Sequence, residues 1–451
     1  MRAYAKVLLS FLIFLSLFSY SSAKIIYIPS PSLATIQGGI NIASDGDTVL
    51  VNIGTYYENI DFKGKNIVVA SRYLTEGDSS LIEATIIDGQ YPRDPDSASV
   101  VRFVSNEDSS AILKGFTLIN GTGIKVSGNF HGGGVFCFSS SPLIMDNIIE
   151  NNSSSIGGGI YCEDGSPSIM GNSVQYNISS SRAGGVECMN SSPKIINNII
   201  KGNKSGDSGG GMELMLNSNP VVKNNLMISN EGVYGGGISV RTYSPIDIVN
   251  NTLSGNKAST GGGILCMKSS PNIINNIVVN SVEGSGIEAS GEGANPYIAY
   301  NDVWGNAGGD FSGTPMGVGN MFWGKNYKGT PCDQFYNISQ DPMFVNPAND
   351  FQLQCPSPCI DVGDHSFPVP SSGGPRIDMG AYEYLITTGD VRADGKLNVS
   401  DVVFLINYCF KGGPAPDPLL KGDVTADDLV NVEDIIHLIN YLFKNGMPPC
   451  H

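Results

Sequence analysis

The chain has 451 residues, and its 26 Lys and Arg against 42 Asp and Glu give a formal net charge of −16. Such a balance disfavours binding to nucleic acid or to anionic lipid, because both need a basic surface. Glycine contributes 56 residues, 15% of the chain is charged and 41% is hydrophobic. This much glycine excludes a helix bundle, and the apolar content excludes a disordered acidic tail.

The first 23 residues have the organisation of a secretory signal peptide. Arg2 and Lys6 precede an apolar run at 7–18, and small residues follow at 21–23. The run is short for a membrane span, and the small residues form a candidate cleavage site. We therefore predict residues 1–23 as a signal peptide and an exported mature protein with no membrane span.

Glycine-rich triplets recur through the middle of the chain at intervals of 25 or 26 residues. An alternating apolar strand follows each triplet, then a turn marked by proline, a second strand, an asparagine and a third short strand. Three short strands in each repeat predict one coil of a parallel β-helix, whose stacked coils share one core. The triplets end at Gly134, Gly159, Gly185, Gly211, Gly237 and Gly263.

The alternation along each strand predicts which side chains face the core. Val135 and Cys137 should point inward, whereas Phe136, Glu187 and Glu213 should point outward on an exposed strand face. The recurring asparagines should occupy left-handed turns and hydrogen-bond from coil to coil. Residues 32–43 have helical spacing, with Ser32 as a candidate N-cap, and a helix there would cover the open end of the solenoid.

Residues 35–60 resemble the amino-terminal part of pectin-lyase-like, right-handed parallel β-helix proteins, and the triplet repeats resemble the same superfamily. The resemblance covers about residues 24–325 and implies the fold; this fold hosts lyases, hydrolases, esterases, adhesins and inert surface proteins. Residues 326–384 resemble the closing segment that follows such repeats in many secreted bacterial proteins. We thus expect an all-β solenoid at 24–325, its closing segment at 326–384 and a separate small helical domain at 385–451.

Two loops of twelve residues in the last domain each precede a helical segment, and the copies lie 33 residues apart. Oxygen-bearing side chains fill positions 1, 5, 9 and 12 of both loops, as in EF-hand-type calcium loops, where position 7 adds a backbone carbonyl. This duplicated loop and helix resembles a type I dockerin, which implies calcium as the cofactor. The predicted ligands are Asp390, Asp394, Lys396, Asn398 and Asp401, then Asp423, Thr425, Asp427, Leu429, Asn431 and Asp434.

The two loops depart from the dockerin pattern in ways that bear on the partner. Arg392 occupies position 3 of the first loop, where a guanidinium cannot ligate calcium, and Asp428 replaces the usual glycine of the second loop. We therefore predict calcium in both loops, bound more weakly than in an ideal pair. The resemblance implies a cohesin on a scaffold protein as partner, but the recognition positions hold Val399-Ser400 and Val432-Glu433 rather than Ser-Thr.

The outward columns of the β-helix carry the candidate chemistry. Glu187 and Glu213 should stack on adjacent coils with Glu163 and Arg241 nearby. Two carboxylates can act as acid and nucleophile on a sugar, and Arg241 can bind a uronate or act as a base. The aromatic residues Phe136 and Tyr161, together with Glu163, are the predicted substrate-binding residues. The alternative is a solvated strand face that carries a few charges.

The nine cysteines fall into three groups. Four lie in the inward column, where parallel Cα–Cβ vectors favour buried thiols over disulfides. Cys332, Cys355 and Cys359 can hold one bridge in the closing segment, and Cys409 and Cys450 can hold another in the calcium module. The inward four are Cys137, Cys162, Cys188 and Cys266.

Two function classes follow from these features. One is a secreted β-helix that binds or degrades an acidic or plant-type polysaccharide, as a lyase or glycoside hydrolase, and is anchored by its calcium module. The other is a non-catalytic adhesin or envelope protein. In both classes we expect an extracellular or cell-surface bacterial protein, held by a cohesin-type scaffold or by the cell surface itself.

Overall fold

Short strands wind into three long parallel sheets that run the length of the β-helix. The computed structural model describes residues 23–449 except 217, 243–245, 370–373, 375, 385–387, 426, 428 and 445, so the predicted signal peptide lies outside it apart from residue 23. From Thr48–Val51 onward each coil contributes one strand to each sheet, and successive coils pair in parallel register. The predicted parallel β-helix is confirmed, and its coils continue upstream of the glycine triplets.

Sheet 1 has eleven strands, and sheets 2 and 3 have ten each. Sheet 1 contains Ile25–Ile28, Thr48–Val51, Val68–Ser71, Ile112–Lys114, Leu143–Met145, Ser168–Met170, Lys194–Ile196, Val221–Lys223, Asp247–Val249, Asn272–Ile274 and Tyr297–Ala299. Sheet 2 contains Gly54–Tyr56, Thr85–Asp88, Thr117–Ile119, Ile148–Glu150, Ser173–Gln175, Ile199–Lys201, Leu226–Ile228, Thr252–Ser254, Ile277–Val279 and Asp302–Trp304. Sheet 3 contains Ile60–Asp61, Val101–Phe103, Val135–Phe138, Ile160–Glu163, Val186–Met189, Met212–Met215, Ile238–Arg241, Ile264–Met267, Ile287–Ser290 and Phe311–Ser312.

A fourth sheet of six short strands, which the sequence did not predict, lies between sheets 2 and 3 along the chain. Its strands are Ser97–Ala98, Gly123–Val126, Asn129–His131, Ser153–Ile156, Ile178–Arg182 and Lys204–Ser205. Two hairpins follow the last coil: Gly324–Lys325 with Pro331–Cys332, and Phe344–Asn346 with Asp350–Leu353. The helices are Ile36–Ile42, Tyr73–Glu76, Ser80–Glu83, Val399–Lys411 and Val432–Lys444, with a 3₁₀ turn at Leu419–Gly422.

The predicted amino-terminal helix is present, but it begins later than expected. Thr35 rather than Ser32 is the N-cap, and its hydroxyl accepts a hydrogen bond from the Gly38 amide. Ser32 lies one turn upstream, outside the helix. Ile36 and Ile40 are buried against the first coil, so the helix contributes to the start of the core.

The glycine triplets are required for two different reasons. Gly157, the first of its triplet, has a φ of 66°, a left-handed conformation that glycine adopts at no steric cost. The second and third glycines pack against neighbouring coils: a Cβ on Gly158 would lie 2.6 Å from the carbonyl oxygen of Gly184. The triplet therefore sets both the turn and the close stacking of the coils.

Two ladders of buried asparagines run along the turns, as the repeat predicted. Asn203 is representative: its Nδ2 donates to the Val174 carbonyl at 2.8 Å and to Asn230 Oδ1 at 3.0 Å. Its Oδ1 accepts from both the amide and the Nδ2 of Asn177 at 3.0 Å. Each asparagine thus joins three consecutive coils with every side-chain polar atom bonded.

The left-handed residue of these turns is not the ladder asparagine, contrary to expectation. Positive φ occurs one residue earlier, for example at Gly202 before Asn203 and at Asn197 before Asn198. The ladder residue must direct its amide inward to reach the coils on either side, so the preceding residue makes the turn instead.

The cysteine pairing differs from the prediction. The four inward cysteines are buried free thiols as predicted, but Cys332, Cys359 and Cys409 are also free. Cys355 is disulfide-bonded, and Cys450 lies outside the described residues. Bridges within the closing segment or through Cys409 are therefore wrong. Cys359 is buried with its Sγ 3.1 Å from Asp302 Oδ2, which directs the thiol toward the β-helix rather than toward another cysteine.

The carboxy-terminal helices pack against each other, and the second one contacts the closing segment. Their own core includes Leu405, Val424 and Leu438. The Tyr441 hydroxyl donates to Asp361 Oδ2 at 2.9 Å, and Asp361 also pairs with Lys328 at 3.1 Å. The small domain is therefore attached to the solenoid through a buried polar contact. Within the described ranges, no helix has both the length and the apolar character to cross a membrane.

Candidate functional site

One outward column of sheet 3 contains most of the predicted site residues. The strand register places Asp61, Arg102 and Phe136 on consecutive coils. Tyr161, Glu187 and Glu213 continue the same column. The register therefore brings the predicted aromatic and acidic residues into one row, and it adds Asp61 and Arg102, which sequence analysis missed.

Glu187 and Glu213 point outward from the solenoid core as predicted, but they are not on an exposed face. Both carboxylates are fully buried, as is Tyr161. The residue before each glycine triplet covers the column: Arg182 pairs with Glu187 at 3.4 Å, and Ser208 lies before the triplet that precedes Glu213. The expectation of a solvated strand face is wrong, because the turn entering each triplet folds over it.

Burial determines the protonation of the two glutamates. It raises the pKa of Glu213 to about 7, although the nearby Arg241 opposes the shift from 3.2 Å. Burial and then the charge of Glu213 raise the pKa of Glu187 well above its usual range. None of the four carboxylate oxygens accepts a well-aligned hydrogen bond. The pair therefore holds a proton more readily than exposed carboxylates do.

The other predicted residues lie on either side of this pair. The Tyr161 hydroxyl donates to Glu163 Oε2 at 2.9 Å, and the Tyr161 ring stacks on Phe136 with centroids 5.5 Å apart. His131 lies edge-on to Tyr161 at 4.6 Å, and burial followed by the charge of Arg182 lowers its pKa. Glu163 thus contacts the aromatic residues through Tyr161 and is not part of the acidic pair of Glu187 and Glu213.

The column opens to solvent at its amino-terminal end. A cavity of about 400 Å³ lies there, next to the short fourth sheet. Phe138 is 39% exposed at its edge, and Arg102 pairs with Asp61 at 3.0 Å within it. We call this space the aromatic cavity; its lining residues are Asp61, Ser97, Arg102, Val104, Ile124, Val126, Phe136 and Phe138.

Sequence analysis missed Asp61 and Arg102 because their coils carry no glycine triplet. The signal that could have found them is the register: counting coils upstream from Phe136 places Arg102 and then Asp61 beneath it. The large residues His131, Ile156 and Arg182 before the triplets were a second signal, since they form the covering column.

The first predicted calcium loop retains features of a cation site. Asp401 is fully buried, and its Oδ1 has no hydrogen-bond partner. Burial raises the pKa of Asp401, and the nearby Asp390 and Asp394 carboxylates add to this. An orphaned oxygen among like charges fits an oxygen-ligated cation. Arg392 pairs with Asp394 at 3.0 Å, so a positive side chain competes for that ligand.

Asparagine and carbonyl ligands of the first loop have other roles in this conformation. The Asn398 side chain caps the helix by accepting from the Ser400 amide at 2.8 Å. Its Nδ2 donates to the carbonyl oxygen of Lys396 at 3.3 Å. The two predicted ligand atoms, Asn398 Oδ1 and the Lys396 carbonyl oxygen, therefore lie in the loop. Each of them accepts a hydrogen bond in this conformation.

The second loop is closed by its own hydrogen bonds. Asp434 Oδ1 accepts from the Thr425 hydroxyl at 3.0 Å, and Asp434 Oδ2 accepts from the Asn431 amide at 2.7 Å. Asp423 Oδ1 accepts from the Asp427 amide at 3.1 Å, and the Leu429 amide donates to Asp427. Among the residues that the structure describes, no three His, Cys, Asp or Glu side chains are arranged to hold a metal ion. The carboxylate, hydroxyl and amide oxygens of this loop are the donor types that calcium takes.

Comparison with known families agrees with this architecture. Residues 171–303 match the right-handed β-helix region family, and residues 388–443 match the dockerin type I domain. The protein is a right-handed parallel β-helix with a carboxy-terminal type I dockerin module. Dockerin type I domains bind calcium. Among curated proteins, none matches this chain.

Two solved structures align with this chain at low sequence identity. A crystal structure of pectate lyase Pel9A aligns at 12% identity with a TM-score of 0.49, over 80% of this chain and 97% of that one. A complex of XylC with xylose aligns at 11% identity with a TM-score of 0.29, over 57% of this chain and 69% of that one.

Proposed function

We propose that this protein binds a polysaccharide at the aromatic cavity of its β-helix and is attached to a cohesin-bearing scaffold by its dockerin module. The observation that carries the first part is the open cavity itself, which combines an exposed phenylalanine ring with paired charged groups. Ligand sites are typically concave and mostly apolar with a few polar groups that fix orientation. Export to the cell exterior, which the predicted signal peptide supports, is part of the same proposal.

Sugar recognition suits the chemistry of this cavity. The apolar faces of a pyranose can pack on the ring of Phe138 and on the edge of Phe136. Ring hydroxyls can donate to Asp61 and accept from Arg102, which are 14% and 32% exposed. The cavity therefore offers both an aromatic platform and hydrogen-bonding groups in one place.

The dockerin module presents a matched apolar surface on both helices. Val399, Val403 and Phe410 are exposed on the first helix. The equivalent residues 33 positions later, Val432, Ile436 and Phe443, are exposed on the second. Their i, i+4 and i+11 spacing places each set on one helix face, and a cohesin is the partner that the module implies. Tyr441, which contacts the closing segment, lies on the opposite face of its helix, so attachment to the solenoid leaves this surface accessible.

Binding to a panel of soluble polysaccharides tests the cavity. The F138A variant should weaken binding about tenfold, which corresponds to a loss of about 1.4 kcal/mol. F322A is the matched control, because Phe322 is fully exposed beyond the last strand of sheet 3. Wild-type protein that binds no polysaccharide, or equal loss in both variants, would refute the cavity as the site.

Calcium dependence tests the attachment. Calcium should raise the melting temperature of the dockerin module and allow capture of a cohesin, and a chelator should reverse both. D401N should abolish the response of the first loop. A melting temperature that is the same with calcium and with chelator would contradict the proposal.

A second candidate is catalysis by Glu187 and Glu213 with Arg241 as substrate-binding cation or base. The observation that favours it is that burial raises the pKa of both adjacent carboxyls, which suits a general acid near neutral pH. Because both carboxylates are buried, substrate can reach them only if the covering turns open. Formation of reducing ends or unsaturated products, lost in E187Q and E213Q, would support this role. Product formation that persists in both variants would refute it.

A further inference from the structure

The two charged side chains of the aromatic cavity neutralise each other. Arg102 Nε lies 3.0 Å from Asp61 Oδ2, and Arg102 Nη1 contacts the Ser97 hydroxyl. The register explains the pairing, because Asp61 and Arg102 are direct neighbours on adjacent strands of sheet 3. Every other lining residue of the cavity is apolar or, at Ser97, uncharged. The lining therefore carries no net charge.

Lys125, on one of the strands that line the cavity, does not supply a free cation. Lys125 lies between the lining residues Ile124 and Val126, and strand alternation turns it to the opposite face. Its Nζ pairs with Asp96 Oδ1 at 3.1 Å. Because the whole chain carries a net charge of −16, the long-range field also opposes an anionic polymer.

A uronate carboxylate would be unfavourable in such a cavity. It would lose hydration on entry and find a guanidinium already paired with Asp61, so the desolvation cost would not be recovered. A neutral sugar has no such cost. Its hydroxyls can donate to Asp61 and accept from Arg102 while its apolar face packs on Phe138.

We infer that the aromatic cavity accepts a neutral hexose or pentose unit rather than a uronate, and that Asp61 determines this selectivity. The inference rests on the proposed polysaccharide-binding function and specifies its ligand. Removing the charge of Asp61 leaves Arg102 unpaired in a mostly apolar cavity, where a carboxylate becomes the preferred counter-ion.

Isothermal titration with neutral and uronic-acid oligosaccharides tests the inference on the full-length protein. Wild type should bind a neutral series such as xylo-, manno- or cello-oligosaccharides and show no heat with oligogalacturonate. D61N should lose about tenfold in affinity for the neutral ligand and gain binding to oligogalacturonate that weakens as salt is raised. D96N is the matched control: it removes the same charge from the exposed pair with Lys125 and should change neither affinity.

The outcomes separate the inference from the function on which it rests. Wild-type protein that prefers oligogalacturonate overturns the inference but leaves polysaccharide binding intact. Protein that binds neither series overturns the proposed function and the inference with it. R102Q provides a second measurement if D61N fails to fold: it should weaken neutral binding and gain no uronate binding. A gain of uronate binding by R102Q or by D96N would also overturn the role of Asp61.

Discussion

The asparagine ladders and the acidic column of sheet 3 are both rows of buried polar side chains, yet their energetics are opposite. In the ladders each amide donates and accepts along the stack, as Asn203 does with Asn177, Val174 and Asn230. In the column the carboxylate oxygens of Glu187 and Glu213 lack well-aligned hydrogen bonds. An amide carries both a donor and an acceptor and can repeat indefinitely, whereas stacked carboxylates repel and can only accept.

One solenoid thus contains both a fully hydrogen-bonded row and a poorly hydrogen-bonded row of buried polar side chains. Buried polar groups that make all their hydrogen bonds rigidify a fold. A buried polar group that lacks hydrogen-bond partners needs another explanation, such as a catalytic role. The ladder therefore stabilises the stacking of coils. Burial of Glu187 and Glu213 disfavours their charged forms and so costs stability at neutral pH. This cost is why we propose to test the two glutamates for a catalytic role.

The largest effect should come from breaking the ladder. N203A removes one hydrogen-bond partner from each of two donors on Asn177 and from two acceptors, the Val174 carbonyl and Asn230 Oδ1, all buried. Asn177 Nδ2 keeps its bond to the Ile149 carbonyl and Asn230 Oδ1 keeps its bond from the residue 203 amide, whereas the Asn177 amide loses its acceptor. Each lost hydrogen bond contributes about 1 kcal/mol and an orphaned buried amide costs more, so we expect a loss of at least about 3 kcal/mol in the free energy of unfolding. Urea unfolding followed by circular dichroism measures it.

The control for the ladder is an asparagine outside it. Asn272 is exposed in sheet 1 and donates only to Asp247 Oδ1 at 2.8 Å among its side-chain bonds in the described residues. N272A should therefore change stability by less than about 0.5 kcal/mol. Equal losses in the two variants would contradict the structural role of the ladder.

An intermediate effect is expected from pH through the acidic column. Because burial raises the pKa of Glu213 from 4.5 to about 7, the folded state binds a proton that the unfolded state releases in this interval. The associated stability is fully present below pH 4.5 and is lost as pH rises through about 7. Melting temperatures across this range should fall for wild type and vary less in E213Q.

The same charge change elsewhere controls for the pH experiment. Glu150 is partly exposed and accepts from Gln175 Nε2 at 2.7 Å. E150Q should keep the wild-type fall in melting temperature between pH 4.5 and 7. If E213Q keeps it too, the buried column is not its source.

The smallest effect should come from a single hydrogen bond between side chains at the edge of the column. Y161F removes the hydroxyl that donates to Glu163 Oε2 at 2.9 Å but keeps the ring stacked on Phe136. We expect a loss of about 1 kcal/mol in the free energy of unfolding, typical of a single hydrogen bond. Y176F, at an exposed tyrosine, should have no measurable effect. A loss in Y161F as large as that in N203A would show that the column is as tightly built as the ladder.

The sequence by itself determined the coils, the inward cysteines, the asparagine ladders and the two loops of the dockerin module. These features arise from short-range sterics and from residues that repeat at fixed spacing, so each repeat reports the same local structure. The placement of Glu187 and Glu213 next to each other also followed from the repeat, because one period separates them.

Only the tertiary structure decided what covers each side chain and what lies beside it. Glu187 and Glu213 are buried because the turns before the triplets fold over sheet 3, which no alternation along a single strand reveals. Asp61 and Arg102 lie 41 positions apart in the sequence and meet only because consecutive coils of different length stack in register. Burial and pairing across coils depend on which residues form strands and which form the turns between them, and those boundaries are set only when the coils pack.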